Sequence, residues 1–324
     1  MKTLIITLTS AALFATASLS QAEVSYQLVP GWLKAPQGMD HIGNSHGDAA
    51  VDSKGNVYIS VEGDKGGIQI YNKDGEYLRN VAGAPMTLHG FIINNEGGED
   101  FIYASVLGKA KMVKMKLDGT VVLTIDGKKS IPDKFKGGKD GKTLKLTSVT
   151  VGPTGDIYIS DGYGRDFIHR FDKSGKYLNS FGGREAPYNF KTAHKVFVDP
   201  RFEPNRLLVC DRANRRLVHL DLDGRFLGVI AEGIRLPCSA DFHGDLVAVA
   251  ELAGRAVVLD KEGKVVAELG KNETKGEIST NKVKPESWKK GVCTAPHGLT
   301  FDADGNIIVT EWNVHGRVLR FDKK

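Results

Sequence analysis

The chain has 324 residues, 41% of them hydrophobic and 26% charged, and a formal charge of +5 at neutral pH. Acidic side chains interrupt any continuous basic stripe and no nucleic-acid motif is present, so the small positive excess argues for solubility and some preference for anionic ligands, not for DNA. Three cysteines, Cys210, Cys238 and Cys293, are too few for a disulfide framework. Cys210 ends the apolar run RLLVC and reads as a small core hydrophobe, whereas Cys238 and Cys293 could pair in an oxidising compartment.

At the N-terminus, Lys2 is followed by LIITLTSAALFATA, and Ser20-Gln21-Ala22 supplies the small residues of a cleavage site. This pattern predicts a signal peptide over 1–22 and a mature domain over 23–324. The apolar stretch is too short to span a bilayer comfortably, no later segment approaches the roughly 20 apolar residues that a span requires, and no cysteine follows it to carry a lipid. The expectation is a protein of the periplasm or the extracellular medium, without a membrane span.

From residue 46 onward the chain repeats one degenerate unit six times. The units enter at SHGDAAVD (His46), LHGFIINN (His89), TSVTVGP (Thr147), AHKVFVDP (His194), CSADFHG (Cys238) and PHGLTFDA (His297). After each entry come a short strand, a turn, and a second strand such as NVYIS, DIYIS or NIIVT. Inner pairs turn at DSKGN, NEGGE, GPTGD, FHGD and DADGN, and outer pairs at NKDGE, KLDGT, DKSGK, DLDGR and DKEGK. In these turns Asp or Asn caps the backbone and Gly takes positive φ, as short hairpins require. The runs between them are β-branched and aromatic, with no convincing helical stretch. Four-stranded repeats of about 40 to 45 residues indicate an all-β, six-bladed β-propeller. Two intervals are longer and carry polar loops, Lys128 to Lys145 and Lys271 to Lys290, which need not pack and would rim a face of the disc. The last unit ends at LRFDKK, one strand short; Ser25 to Pro30 can supply that strand and close the ring.

Innermost strands line the axis of a propeller, so His89, His194 and His297, which fall in alternate units, could converge there. Zinc accepts three histidines with an open fourth position. The competing reading is that imidazoles at a wet channel mouth face solvent or bind backbone carbonyls. His46 breaks the alternation and could be a fourth channel histidine, a general base, or neither. The acid that recurs after each second strand, Asp161, Asp211, Glu251 or Glu311, reads as structural, with Arg165, Arg216 and Arg317 as its counter-charges. Tyr163 in DGYG and Arg212 in DRAN are less easily explained that way: a tyrosine can act as general base, and an arginine fork binds a carboxylate.

The stretch VTVGPTGDIYISDGYGRDFIHRFDKSGKYLNSFG, followed by FKTAHKVFVDP and LLVCDRANRRLVHL, resembles the NHL-repeat propellers, and within them the peptidylglycine amidating lyases. That resemblance implies cleavage of a peptidyl-α-hydroxyglycine to an amide and glyoxylate. It implies a zinc held by His89, His194 and His297, catalysis by Tyr163, and substrate carboxylate on Arg212. Two departures stand out. A second arginine expected in the first unit is replaced by SVEGDKGG, with Glu62 near its place and Lys65 as a substitute cation. An aspartate expected after the last histidine is Gly298, which argues against structural calcium. The implied substrate is a small α-hydroxy-acid amide or a peptide end. The alternatives are a non-catalytic propeller that binds a protein partner through its disc-face loops, and another metal-dependent hydrolase; a lactonase fits less well, because histidines rather than acids stand at the channel.

Overall fold

The computed structural model describes residues 24–63, 66–137 and 144–324. The expected signal peptide, Lys65, and the centre of the first long loop lie outside them. The described chain forms six four-stranded antiparallel sheets arranged as a six-bladed propeller. Blade 1 covers residues 49–80, blade 2 88–126, blade 3 148–182, blade 4 193–232 and blade 5 237–269. Blade 6 takes three strands from 296–323 and its outermost from Tyr26–Val29, which pairs antiparallel with the C-terminal strand from Tyr26–Lys323 to Val29–Arg320. The first and last described strands are thus hydrogen-bonded to each other, and every blade has four strands. The longest α-helix among the described residues is Gly127–Ser130, and none is long and apolar enough to cross a membrane.

Turn chemistry repeats faithfully. In DSKGN the Asp52 carboxylate accepts from the backbone N–H of Lys54 and Asn56, and Asp172, Asp221 and Asp302 do the same in their own turns. Alternate strand residues pack between neighbouring blades. Ala250, Val258, Leu299, Ile307 and Val309 form one such layer between blades 5 and 6, with Leu28 of the closing strand set against it.

The long loops do pack, contrary to expectation. Ile131 and Leu144 from the first are buried in the layer between blades 2 and 3, and the Phe135 ring meets Phe167 at 5.0 Å. In the second, Asn272 and Val283 are buried, and the Val283 carbonyl accepts from Asn313 Nδ2. The sequence pattern conceals this because a few apolar anchors suffice among many lysines. Cys238 and Cys293 do not pair either. All three cysteines are free and buried; Cys293 lies in the layer between blades 5 and 6, while Cys238 stands at the axis beside Arg212.

Candidate metal centre and active site

Four of the six entry residues are set toward the axis by a local irregularity of their strands. Register slips at Leu88/Gly90, Ala193/Lys195, Pro237/Ser239 and Pro296/Gly298, so His89, His194, Cys238 and His297 are the unpaired residues of β-bulges. A bulge re-aims a side chain that regular pairing would send elsewhere. The recurring acids then brace the approach. Asp161, Asp211, Glu251 and Glu311 accept the backbone N–H of Lys145, Lys191, Arg235 and Thr294, each two or three residues before its blade's entry residue. Arg216 and Arg317 pair with these acids as expected. Arg165 does not: only its backbone N–H meets Asp161, and its guanidinium donates to the Lys134 carbonyl.

The three histidines meet on the axis. Their ring centroids lie 5.0 Å apart for His89–His194 and His89–His297, and 4.9 Å for His194–His297. In each, Nδ1 faces a backbone carbonyl of the next blade: Thr147 at 2.8 Å, Cys238 at 2.7 Å and Gly47 at 3.2 Å. A carbonyl only accepts, so Nδ1 carries the hydrogen and Nε2 presents a lone pair. Burial holds all three imidazoles well below their ordinary pKa, with neighbouring positive charge from His46, Arg212 and Lys195 adding to it. They are neutral at physiological pH.

Those lone pairs outnumber the hydrogens available to them. Tyr163 Oη lies 3.1 Å from His89 Nε2 and 3.0 Å from His194 Nε2, and accepts from Arg212 Nη1 at 3.1 Å. Its single hydrogen can serve only one of the two nitrogens. His297 Nε2 is buried without any partner. Two imidazole lone pairs therefore lack a hydrogen in a buried site, where an unsatisfied polar atom costs about 1–3 kcal/mol. A cation would satisfy both, and the donor set suits zinc and its neighbours. Ligand-capable atoms of His46, His89 and His297 lie within 4.8 Å of one another, as do those of His194, Cys238 and His297.

The gaps between these histidines are also filled in order around the ring. His46 of blade 1 packs on His89 at 5.0 Å and on His297 at 4.7 Å, with Trp312 at 5.3 Å on its outer side. Tyr163 of blade 3 stands between His89 and His194. Cys238 of blade 5 and the Arg212 guanidinium, 3.8 Å apart, stand between His194 and His297. Burial pushes the Tyr163 phenol above its ordinary pKa, and Arg212 is the chief opposing influence. Glu62 is in place beside the cluster, with Oε1 3.7 Å from His46 Nδ1 and Oε2 held by Asn44 Nδ2.

Directly beneath the histidines lies a pair that the sequence reading overlooked. Lys195, next to His194, is fully buried and donates to Asp48 Oδ2 at 2.6 Å, while Ser239 donates to Asp48 Oδ1 at 3.0 Å. The residue after the entry position is Gly47, Gly90, Ser148, Ser239 or Gly298 in the other five blades, so one long side chain fills an axis lined by small ones. A Cβ at Gly298 would lie 2.5 Å from Asp48 Oδ1, so the Asp48 carboxylate of blade 1 occupies the space that a side chain after His297 would need. Lys195 divides the channel. Below it is a cavity of about 370 Å³ lined by Asp48, Thr150, Ser239, Asp241 and Phe242, among others. Above it, the cluster opens to the entry face, where Tyr163, Arg212 and His46 are partly exposed.

A fold built this way, with this polar centre, defines the class as a six-bladed propeller with a candidate metal site on its axis. No family model matches the chain. It is weakly homologous to a probable peptidyl-α-hydroxyglycine α-amidating lyase of Caenorhabditis elegans, 24% identical over 231 residues, which are 69% of this chain and 60% of that protein. The match thus spans less than two thirds of the relative's length. Among solved structures, a streptogramin B lyase superposes with a TM-score of 0.59 at 13% identity, covering 94% of this chain and all of that one. A propeller provisionally named a gluconolactonase superposes at 0.60 and 13% identity, covering 94% and 93%. At such identity these two share the fold and do not choose between activities.

Proposed function

We propose that this protein is an exported, metal-dependent lyase-like enzyme that acts on a small α-hydroxy-acid amide or a peptide end. The observation that carries the reading is the surplus of imidazole lone pairs at His89, His194 and His297 beside the Tyr163–Arg212 pair. The sequence likeness to an amidating lyase supports it, and the signal-like N-terminus supports export.

His89, His194 and His297 would hold the ion, with zinc the natural choice; when bound it supplies a Lewis acid beside Tyr163 and favours the phenolate over the phenol. The chain's own groups perform the rest. Tyr163, held by the Arg212 guanidinium, takes the proton of the substrate hydroxyl. The O–H electrons form the carbonyl, the carbon–nitrogen bond breaks, and the departing nitrogen takes up a proton, giving an amide and an aldehyde acid. Arg212 presents its guanidinium to the substrate carboxylate. Glu62 stands where the resemblance implies a second arginine, so the site offers one guanidinium clamp and an adjacent acid, a pattern suited to substrates with a single carboxylate.

The test is glyoxylate release from a panel of α-hydroxyglycine compounds by zinc-loaded protein. Parent should turn over at least one, and Tyr163→Phe should be slower by roughly 10²- to 10⁴-fold. Absence of turnover in zinc-loaded parent across the panel would refute the lyase reading and favour the non-catalytic binding module.

A further inference from the structure

We infer that the metal seat of this propeller is built from four imidazoles, His46 being the fourth ligand and Glu62 its outer partner. This rests on the metal reading above and goes beyond the three histidines in alternate blades.

Three observations carry it. First, His46 belongs to the cluster by distance: its ring lies as close to His89 and His297 as those rings lie to each other, at 4.7–5.0 Å. With nitrogens about 2.0–2.1 Å from an ion, imidazole centroids around one centre stand about 4.5–5.2 Å apart for ligand angles between square and tetrahedral. The spacings of His46 to His89 and His297, and of His89, His194 and His297 among themselves, fall in that band, and ligand atoms of His46, His89 and His297 form a group within 4.8 Å.

Second, His46 has a carboxylate near its Nδ1 where the other three have a hydrogen-bonded carbonyl. His89, His194 and His297 each turn Nδ1 to a carbonyl of the next blade. His46 turns Nδ1 toward the Glu62 carboxylate at 3.7 Å, and Asn44 fixes that carboxylate from its other oxygen. A carboxylate behind Nδ1 is a recurrent outer partner of a metal-bound imidazole, orienting the ring and raising its basicity. The opposite nitrogen is then left to face the axis.

Third, the ring is held from outside. Trp312 packs on it at 5.3 Å with planes 34° apart, and the Trp312 backbone N–H donates to the Ala295 carbonyl, which ties that residue to the approach of His297. Blades 1 and 4 face each other across a six-bladed ring, so His46 stands opposite His194. The blade 1 side is closed by His46, Glu62 and Trp312, which leaves the side of Tyr163 and Arg212 for the substrate.

The experiment uses Co²⁺ as the probe. Full-length mature protein is titrated with Co²⁺ against a chromophoric chelator, its visible bands are recorded, and X-ray absorption counts the imidazoles around the bound ion. Parent should take up one ion with four imidazoles. His46→Ala and the bulkier His46→Gln should bind more weakly, by at least the roughly 10- to 100-fold that loss of an outer partner costs, with altered bands and three imidazoles. Glu62→Gln should keep four imidazoles and weaken binding by about tenfold. Circular dichroism confirms folding of each variant, and the imidazole count of the parent needs no variant. Unchanged affinity and bands in both His46 variants, or three imidazoles in the parent, would overturn the four-imidazole seat while leaving the metal reading intact. Folded parent that takes up no Co²⁺ would overturn both.

Discussion

Two polar clusters share the axis of this propeller and are built on opposite rules. In the lower one, Lys195 and Asp48 are buried, but the charges face each other at 2.6 Å and Ser239 occupies the second carboxylate oxygen. Both oxygens of the Asp48 carboxylate thus have a donor within the protein. In the upper one, three neutral imidazoles are anchored by Nδ1; His89 and His194 turn Nε2 to one phenolic hydrogen, and His297 Nε2 is buried without a donor. The lower cluster completes a fold, and the upper keeps imidazole lone pairs that could hold a metal. Two buried polar groups of similar cost are thus told apart by whether every lone pair has a hydrogen, which burial alone does not reveal.

The contrast can be broken at four points. The largest effect should come from Lys195→Met, which strands Asp48 in a buried site; loss of one partner of a buried pair costs about 3–5 kcal/mol, read as a lower denaturation midpoint in urea with and without metal. Next, zinc at 100 times its dissociation constant should stabilise the parent by about 2.7 kcal/mol and leave His194→Ala much less affected. Equal stabilisation of both proteins would place the ion elsewhere. Gly298→Ala forces a methyl group against Asp48 and Thr310, and overpacking of this kind costs about 1–3 kcal/mol; in an Asp48→Ala background, itself destabilised by the stranded Lys195, the same substitution should cost less, because the colliding carboxylate is gone.

The smallest effect is a slope. Burial raises the Asp161 carboxyl from 3.8 to about 7, against the pull of the two backbone N–H groups it accepts. A raised folded pKa means that the folded state binds the proton more tightly than the unfolded state. The stabilisation is fully present below about pH 4 and is lost as pH rises toward 7. Urea midpoints measured across that window should therefore fall less steeply in Asp161→Asn than in the parent, and identical slopes would show that Asp161 is ionised throughout.

Much of the architecture was open to reading along the chain. Hairpin turns are local, and Asp52 in DSKGN or Asp172 in DKSGK caps its turn by bonds that span two to four residues, so six turn-punctuated units and a missing strand were visible without knowing what they touch. The entry histidines were legible for the same reason, because they recur in phase with the turns. Packing of the long loops was not, since Ile131 and Leu144 find their neighbours in strands far along the chain. Whether Cys238 and Cys293 pair was open in the sequence for a similar reason, and both are free: position in a repeat says which blade a residue belongs to, not which side of the strand it faces.

By itself, then, the sequence determined the repeat, the all-β class, the count of blades, the strand that closes the ring, and the phase that brings His89, His194 and His297 to one end of their strands. All of these follow from local turn geometry and from a period that repeats. Only the tertiary structure decided that four bulges turn the entry side chains inward, that Lys195 alone among its small counterparts reaches across the axis, and that Asp48 of blade 1 fills the place beside Gly298 of blade 6. Those outcomes depend on which residues crowd together when the ring closes, and residues 147 positions apart, such as Asp48 and Lys195, share no local signal before it does.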